Sequence, residues 1–305
     1  MAKVLIATEK PFAKIAADGI RSIFEEAGYH CIFLEKYSSH DDFVQAAADV
    51  DAIIIRSDKA NKAVIDNAKN LKIIVRAGAG YDNVDLAAAT ANNVVVMNTP
   101  GQNSNAVAEL ALGMMVYQVR NHFNGTSGTE LKGKSLGIHA YGHVGKNIAR
   151  IAKGFDMQVM AYDPFVDKVI MRADNVKSVE SVEELYSQCQ FISLNLPAND
   201  KTKKSINYEL MMKMPAGAVL VNTARKEVVC EDSLKRVLAE RDDFCYVSDI
   251  APDCASELTE YNNRTFFTPK KMGAQTAEAN INAGLAAAKQ IIAFLEKNDT
   301  TFKVN

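Results

Sequence analysis

The chain has 305 residues, of which 48% are hydrophobic and 24% charged, and its formal net charge at pH 7 is −2. This length is sufficient for two domains with cores of their own. The near-neutral charge argues against nucleic-acid or acidic-membrane partners, and no apolar run reaches the roughly 18 to 20 residues that span a bilayer.

The first residues, MAKVLIATEK, predict a strand and no signal peptide, because no long apolar core follows the charged residue. The five cysteines lie far apart and form no C-x-x-C pair. Free thiols in a reducing cytoplasm are therefore expected, with neither disulfides nor a metal site.

Short β-branched runs alternate with helical patterns up to about residue 270. The first series of predicted strands reads KVLIAT, HCIFLE, DAIIIRS, KIIVRAG and VVVMNTP. Helical patterns such as AKIAADGIRSIFEEAG and NKAVIDNAKN lie between them. Near-continuous apolar strands separated by helices predict a parallel sheet that is covered on both faces.

Residues 104–123, SNAVAELALGMMVYQVRNHF, predict a long helix with apolar residues around much of its circumference. Such a helix must be buried on several sides, as a domain connector or at a subunit interface. We therefore expect a homodimer.

A second series of predicted strands reads SLGIHA, QVMAYD, CQFISLNL, AVLVNTA, CYVSDIA and RTFFTP, and one long helix, TAEANINAGLAAAKQIIAFLEK, follows. The predicted fold class is α/β, with two doubly wound parallel-sheet domains of Rossmann or flavodoxin type and a cleft between them.

A glycine-rich first turn occurs only in the second series, in LGIHAYGHVGKNIA. Gly142 and Gly145 occupy the second and third positions of G-x-G-x-x-G, and Ala140 occupies the first. The backbone N–H groups of His143 and Val144 are the expected pyrophosphate donors. The small side chain of Ala140 fits this turn if its φ stays negative.

A carboxylate follows at the distance expected of a dinucleotide site. The strand QVMAYD ends at Asp163, 18 residues after Gly145 (163 − 145), where an acid accepts hydrogen bonds from the adenosine ribose. Pro164 comes next, with no arginine beside it for a 2′-phosphate, which favours NAD over NADP. One alternative is an ordinary strand-to-helix turn, which an incomplete motif alone permits. The other is a P-loop, but this segment lacks the leading glycine and the hydroxyl residue that a P-loop requires.

Two longer stretches resemble the D-2-hydroxyacid dehydrogenase family. RAGAGYDNVDLAAATANNVVVMNTPGQNSNAVAEL (76–110) is similar to the edge of the family's substrate domain, and FISLNLPANDKTKKSINYELMMKMPAGAVLVNTAR (191–225) to the stretch leading to its catalytic arginine. Within the family, the chain resembles members that oxidise phosphoglycerate and lack a C-terminal regulatory domain, so feedback by serine through such a domain is not expected.

The resemblance implies that one domain is inserted into the other. The implied substrate-binding domain comprises residues 1–98 and 282–305, and the implied NAD-binding domain comprises residues 99–281.

The resemblance implies that Arg225, which ends NTAR, is the catalytic arginine. Its guanidinium suits a carboxylate in two-point contact and polarises the 2-oxygen of the substrate. A surface salt bridge is the alternative interpretation.

The family's acid/base histidine is missing, since all five histidines precede residue 144. Where the family has T-P-H-x-G-A-S-T, this chain has TPKKMGAQT (268–276). Counting back from the G-A pair places Lys271 at the histidine, and counting forward from the T-P pair places Lys270 there; we favour Lys271. The position of the family's glutamate falls on Cys254.

A lysine could replace the histidine if burial beside Arg225 and NAD⁺ moved its pKa from about 10.4 toward neutrality. Otherwise the lysines are a solvated pair and the protein only binds NAD.

The remaining site residues also follow from the glycine turn or the resemblance. The expected cofactor contacts are Ala79, Ala140, Gly142, His143, Val144, Gly145, Asp163, Pro164, Pro197, Thr223, Ala224, Asp249, Gly273 and Ala274. The expected substrate contacts are Arg56, Ser57, Arg76, Gly78 and Asn98. Nearby Lys59 and Lys62 would suit a phosphate, although a solvated loop explains them equally well.

The predicted reaction is the NAD-dependent oxidation of D-3-phosphoglycerate to 3-phosphohydroxypyruvate, the entry to serine synthesis. The alternatives are another 2-hydroxy acid (glycerate, glyoxylate or hydroxypyruvate, lactate) or a non-catalytic NAD sensor.

Overall fold

The computed structural model describes residues 2–305. The strands are β1 (Lys3–Thr8), β2 (His30–Glu35), β3 (Ala52–Ile55), β4 (Ile73–Arg76), β5 (Val95–Asn98), β6 (Ser135–His139), β7 (Gln158–Tyr162), β8 (Lys177–Ser178), β9 (Phe191–Leu194), β10 (Val219–Asn222), β11 (Cys245–Ser248) and β12 (Thr265–Phe267). The α-helices are α1 (Lys14–Glu26), α2 (His40–Ala46), α3 (Lys62–Asn67), α4 (Leu86–Ala91), α5 (Ser104–Val119), α6 (His143–Gly154), α7 (Lys168–Ala173), α8 (Val182–Gln188), α9 (Tyr208–Lys213), α10 (Glu231–Glu240) and α11 (Ala277–Lys297). Short 3₁₀ helices cover Asn121–Phe123, Lys226–Val228 and Ala255–Tyr261.

The chain divides into two compact units. The first runs to Asn103 and resumes with Thr276–Asn305, and the second is Ser104–Gln275. These boundaries differ by about five residues from those implied by the resemblance, at 98/99 and 281/282. The second boundary differs because the implied one would divide α11, which belongs entirely to the first unit.

The first unit contains a parallel sheet with strand order β2-β1-β3-β4-β5. Neighbouring strands align in register, with Leu5 opposite Ile53 and Ile53 opposite Ile74. Alternate residues of β1 face opposite sides, so Leu5 joins one buried cluster while Val4 joins the other. The near-continuous apolar runs thus form a sheet with a core on each face, as predicted.

The second unit contains a parallel sheet with strand order β12-β11-β10-β9-β6-β7-β8. The short strand β8 was not predicted. The chain leaves β6 toward β7 on one side and later returns to β9 on the other. Ligands of open parallel sheets bind where this reversal occurs, beyond the carboxyl ends of the strands. That point in this sheet lies beyond β6 and β9.

Helix α5 ends at Val119, and the prediction that it continues to residue 123 was wrong. Asn121, His122 and Phe123 have φ values of 51°, 56° and 56°, which an α-helix cannot accommodate. Within its unit, α5 packs against α6, β10 and β11. In the part of the chain described, no helix combines the length and apolarity needed to cross a bilayer.

Candidate functional site

The turn between β6 and α6 brings a helix N-terminus close to the sheet. A Cβ at Gly145 would lie 2.5 Å from the carbonyl oxygen of Ala140, so only glycine permits this close approach. A Cβ at Gly142 would meet nothing within 4 Å, and no side chain caps the helix there. The N–H groups of the first turn, from His143 onward, are therefore oriented toward open space, where an anion can bind.

Ala140 adopts a φ of 75°, so the negative φ on which the fit of its side chain depended is not observed. The turn keeps the left-handed conformation that glycine would favour, with the Ala140 N–H donating to the Tyr162 carbonyl at 2.9 Å. Such a conformation costs an alanine on the order of 1 kcal/mol. Alanine in place of glycine therefore adds strain to the turn, while the backbone keeps the left-handed conformation at this position.

Asp163 follows β7 and is half-buried beside the turn. Its Oδ2 accepts the Tyr141 N–H at 2.8 Å, and its Oδ1 accepts the Phe165 N–H at 2.8 Å. An ionised carboxylate offers about four acceptor positions, so it can still accept ribose hydroxyls.

His139, the last residue of β6, is buried beside this carboxylate. Its Nδ1 lies 3.3 Å from the hydroxyl of Tyr186, which is fully buried. Burial lowers the pKa of His139 to about 4, and the negative charge of Asp163 opposes that shift. The imidazole is therefore neutral at pH 7.

Two buried polar atoms at the carboxyl edge of the sheet have no partner among residues 2–305: Asn195 Oδ1 after β9 and Thr223 Oγ1 after β10. Buried polar groups of this kind are normally satisfied, so a ligand is the natural partner. Asn195 was missed by the sequence analysis. Its position directly after a buried strand at the reversal of strand order was the available signal.

Two cations meet at one carbonyl in the segment after β10. The Lys271 Nζ donates to the Ala224 oxygen at 2.8 Å, and the Arg225 Nη1 donates to the same oxygen at 3.0 Å. Both side chains are exposed, so the expected burial of the lysine is not observed. The Lys270 carbonyl, by contrast, accepts from the Thr268 hydroxyl at 2.8 Å, and the Lys270 side chain is exposed. The structure thus brings Lys271 to the predicted catalytic arginine.

Asp249 is 2% exposed and follows β11. Both carboxylate oxygens are engaged by the segment 268–273, which carries the two lysines: Oδ1 by Thr268 and Met272, Oδ2 by Gly273. Ala274 lies directly after that segment and is half-buried.

Two further predicted cofactor contacts, Pro164 and Pro197, lie on exposed loops after β7 and β9.

Cys254, at the position of the family's glutamate, is buried, and burial raises its pKa to about 12. Its N–H donates to Glu231 Oε2 at 2.8 Å, while Asp253 pairs with Lys226. The thiol is therefore a packing group. Within residues 2–305, no cluster of His, Cys, Asp and Glu could hold a metal ion.

The predicted substrate residues, together with Ala79, lie at the carboxyl ends of β3, β4 and β5 in the first unit. The guanidinium of Arg56 donates to the carbonyls of Lys10 and Pro11 through Nη1 and to Asn280 through Nη2. These contacts occupy most of its donors, so Arg56 joins segments of its own unit. Ser57, directly after it, is exposed.

The other members of this group bind one another. Arg76 Nε donates to the Arg56 carbonyl at 3.0 Å, and Asn98 Nδ2 donates to the Ala79 carbonyl at 2.6 Å. Gly78 has a φ of 150°, and a Cβ there would lie 1.5 Å from Arg76 Nη1. Only glycine lets that guanidinium lie against the backbone.

A glycine turn at the reversal of a parallel sheet, an acid after the next strand and unpartnered polar atoms between them define a dinucleotide-binding α/β protein. Residues 106–269 match the family model of the D-isomer specific 2-hydroxyacid dehydrogenase, NAD binding domain. The chain belongs to this family, and its cofactor is NAD.

Several known proteins are similar over most of this chain. The D-3-phosphoglycerate dehydrogenase of Methanocaldococcus jannaschii is 33% identical over 82% of this chain and 51% of its own length. The hydroxypyruvate reductase of Thermotoga maritima is 33% identical over 85% of this chain and 90% of its own. The chain thus spans about half the length of the curated D-3-phosphoglycerate dehydrogenases it matches.

Among solved structures, the NAD⁺-bound 3-phosphoglycerate dehydrogenase of Entamoeba histolytica is 46% identical. It superposes with a TM-score of 0.89 and covers 100% of this chain and 98% of its own.

Proposed function

We propose that the protein catalyses the NAD-dependent oxidation of D-3-phosphoglycerate to 3-phosphohydroxypyruvate, an entry reaction to serine synthesis in the cytoplasm. The observation that carries this proposal is the meeting of Lys271 and Arg225 at the Ala224 carbonyl. It supplies a proton acceptor and a carboxylate-binding group side by side. The names of two relatives support the phosphorylated substrate.

The residues present fit NAD. The first-turn N–H groups of His143 and Val144 would hold the pyrophosphate, and the remaining acceptor positions of Asp163 would hold the adenosine ribose. Asn195 and Thr223 would give their unpartnered atoms to the bound cofactor. When bound, NAD supplies the acceptor for the hydride that leaves C2 of the substrate.

The proton of the substrate hydroxyl goes to Lys271. The amine accepts it in its neutral form, at the Ala224 carbonyl that also binds the guanidinium of Arg225. Arg225 binds the carboxylate of the substrate and polarises the developing carbonyl. The released lysine proton passes to solvent, since the side chain is exposed.

The first unit is proposed to bind the substrate. Arg56 is tied to carbonyl and amide acceptors, so the exposed Ser57 and Lys59 are better candidates for the phosphate. Arg76 and Asn98 would shape the same sheet edge through their contacts within the unit.

A second candidate function is reduction of hydroxypyruvate. The Thermotoga maritima hydroxypyruvate reductase supports it, because the match covers 90% of that protein's own length. Its substrate lacks the phosphate, so the two candidates differ in the need for a phosphate-binding cation.

Turnover of the two lysine variants tests the proposal. NADH absorbance is followed with NAD⁺ and D-3-phosphoglycerate for the wild type, Lys271→Ala and Lys270→Ala. Loss of the acid/base group in Lys271→Ala should lower kcat by about 100-fold or more. Lys270→Ala is the matched control and should stay within about threefold of wild type.

Equal rates for all three proteins would remove the acid/base role from Lys271. Faster oxidation of D-glycerate than of D-3-phosphoglycerate would favour the hydroxypyruvate type. Tight NAD binding without turnover of any 2-hydroxy acid would indicate the sensor.

A further inference from the structure

Asp249 connects the two segments that form the proposed proton-transfer site, the one with Lys271 and the one with Arg225. Its Oδ1 lies 3.0 Å from Thr268 Oγ1 and accepts the Met272 N–H at 2.6 Å, while its Oδ2 accepts the Gly273 N–H at 2.8 Å. These donors come from both ends of the segment 268–273. We call this segment the lysine loop, because Lys270 and Lys271 lie between the two anchored ends.

The lysine loop lies so close to the Asp249 carboxylate that no side chain fits at Gly273. A Cβ at Gly273 would lie 2.9 Å from Asp249 Oδ2 and 3.2 Å from the Val107 side chain. The carboxylate is 2% exposed, so water does not replace these donors. Asp249 therefore holds the loop from inside the unit.

The segment that carries Ala224 and Arg225 is also connected to Asp249, through Asn222. Asn222, 2% exposed, accepts the Ala224 N–H through Oδ1 and donates to the Arg225 carbonyl through Nδ2, both at 3.0 Å. Its own carbonyl accepts the Asp249 N–H at 2.9 Å. Hydrogen bonds through Asn222 and Asp249 thus connect the Ala224 carbonyl, which binds Lys271 and Arg225, to the lysine loop.

We propose that Asp249 is a positioning residue that holds Lys271 against the Ala224 carbonyl through the lysine loop. This inference rests on the proposed function and assigns Asp249 a role other than the cofactor contact expected from the sequence. A carboxylate suits the task because it accepts on both oxygens and carries no donor of its own. An asparagine would direct an N–H group at the N–H of Met272 or of Gly273.

The variant Asp249→Asn tests this role by kinetics. Because Lys271 loses its fixed position, kcat should fall by about 30-fold or more, while the NAD dissociation constant stays within about twofold of wild type. Asp242→Asn makes the same change of charge at an exposed aspartate of the second unit and should leave both quantities within about twofold.

Two further measurements need no turnover, so they remain informative if the proposed reaction is wrong. Amide exchange at Met272 and Gly273 should accelerate by about tenfold in Asp249→Asn. Acylation of Lys271 by an activated ester, measured relative to Lys270, should accelerate severalfold as its Nζ leaves the Ala224 carbonyl. Thr268→Val removes only the hydroxyl and should show smaller changes in the same directions, which keeps the test valid if Asp249→Asn does not fold.

A tenfold weaker NAD affinity in Asp249→Asn, with unchanged exchange in the lysine loop, would overturn the proposal and make Asp249 a cofactor ligand. Unchanged exchange together with unchanged Lys271 acylation would overturn it as well. Wild-type protein that turns over no 2-hydroxy acid, yet shows the expected exchange and acylation changes, would reject the proposed reaction and retain the positioning role.

Discussion

Ala140 shows how a single residue can depart from a sequence motif and still adopt the backbone conformation that the motif favours. The turn needs a left-handed residue between β6 and α6, and Ala140 adopts a φ of 75° there. Its backbone is held by the Tyr162 carbonyl, and its own oxygen packs against Gly145. The surrounding contacts thus impose a conformation that alanine disfavours by on the order of 1 kcal/mol.

Restoring the motif glycine should relieve this strain. We expect Ala140→Gly to raise the free energy of unfolding by about 0.5 kcal/mol, because relief of the left-handed alanine exceeds the added chain entropy. Urea unfolding measures the change. Ala149→Gly, in the interior of α6, is the control and should lower stability by about 1 kcal/mol or more. Destabilisation by Ala140→Gly would mean that the alanine is not strained.

The two lysines also differ in their contacts at the level of single residues. Counting from either end of TPKKMGAQT left Lys270 and Lys271 open. The contact of Lys271 with Ala224 joins residues 47 positions apart, and no local pattern encodes such a contact.

Among the elements, the strands were largely predictable because each is a short apolar run with its own periodicity. The predicted runs KVLIAT and HCIFLE coincide with β1 and β2. Helix ends were less predictable. The apolar pattern of α5 continues beyond Val119, but the helix ends there because Asn121–Phe123 adopt left-handed backbone conformations. Gly128 explains part of this turn, because a Cβ there would lie 2.2 Å from the Val119 carbonyl.

Helix α5 and the turn after it are the proposed site of dimerisation. Phe123 is 64% exposed and packs its ring against Tyr117 of α5, which leaves an apolar group for a second chain. Equilibrium sedimentation should give twice the chain mass of 33.3 kDa, and Phe123→Asp should shift the mass toward one chain. Phe165→Asp, at a residue 92% exposed after β7, is the control and should not. A wild-type mass of one chain would contradict the dimer.

At the scale of the whole molecule, stability should depend on pH through His139. Burial lowers its pKa from 6.5 to about 4. Between these values the unfolded chain binds a proton that the folded chain does not, so the free energy of unfolding falls as pH falls. From pH 7 to pH 5 the expected loss from this residue is about 2 kcal/mol.

His139→Gln should remove that part of the pH dependence, because glutamine does not titrate. Denaturant unfolding at both pH values measures the difference between variant and wild type. His30→Gln, at an exposed histidine, should leave the pH dependence unchanged. An equal loss of stability in His139→Gln and wild type would show that His139 is not its source.

The sequence by itself determined the parallel α/β units, the glycine turn before α6 and the position of Asp163 after β7, because a local pattern of a few residues encodes each of them. Only the tertiary structure decided the left-handed Ala140, the engagement of Arg56 by its own unit and the meeting of Lys271 with Arg225. The physical reason is that the carboxyl ends of parallel strands collect residues that lie far apart in the chain. Buried groups such as Asp249 then set the geometry by satisfying donors that the strand and helix patterns leave unspecified.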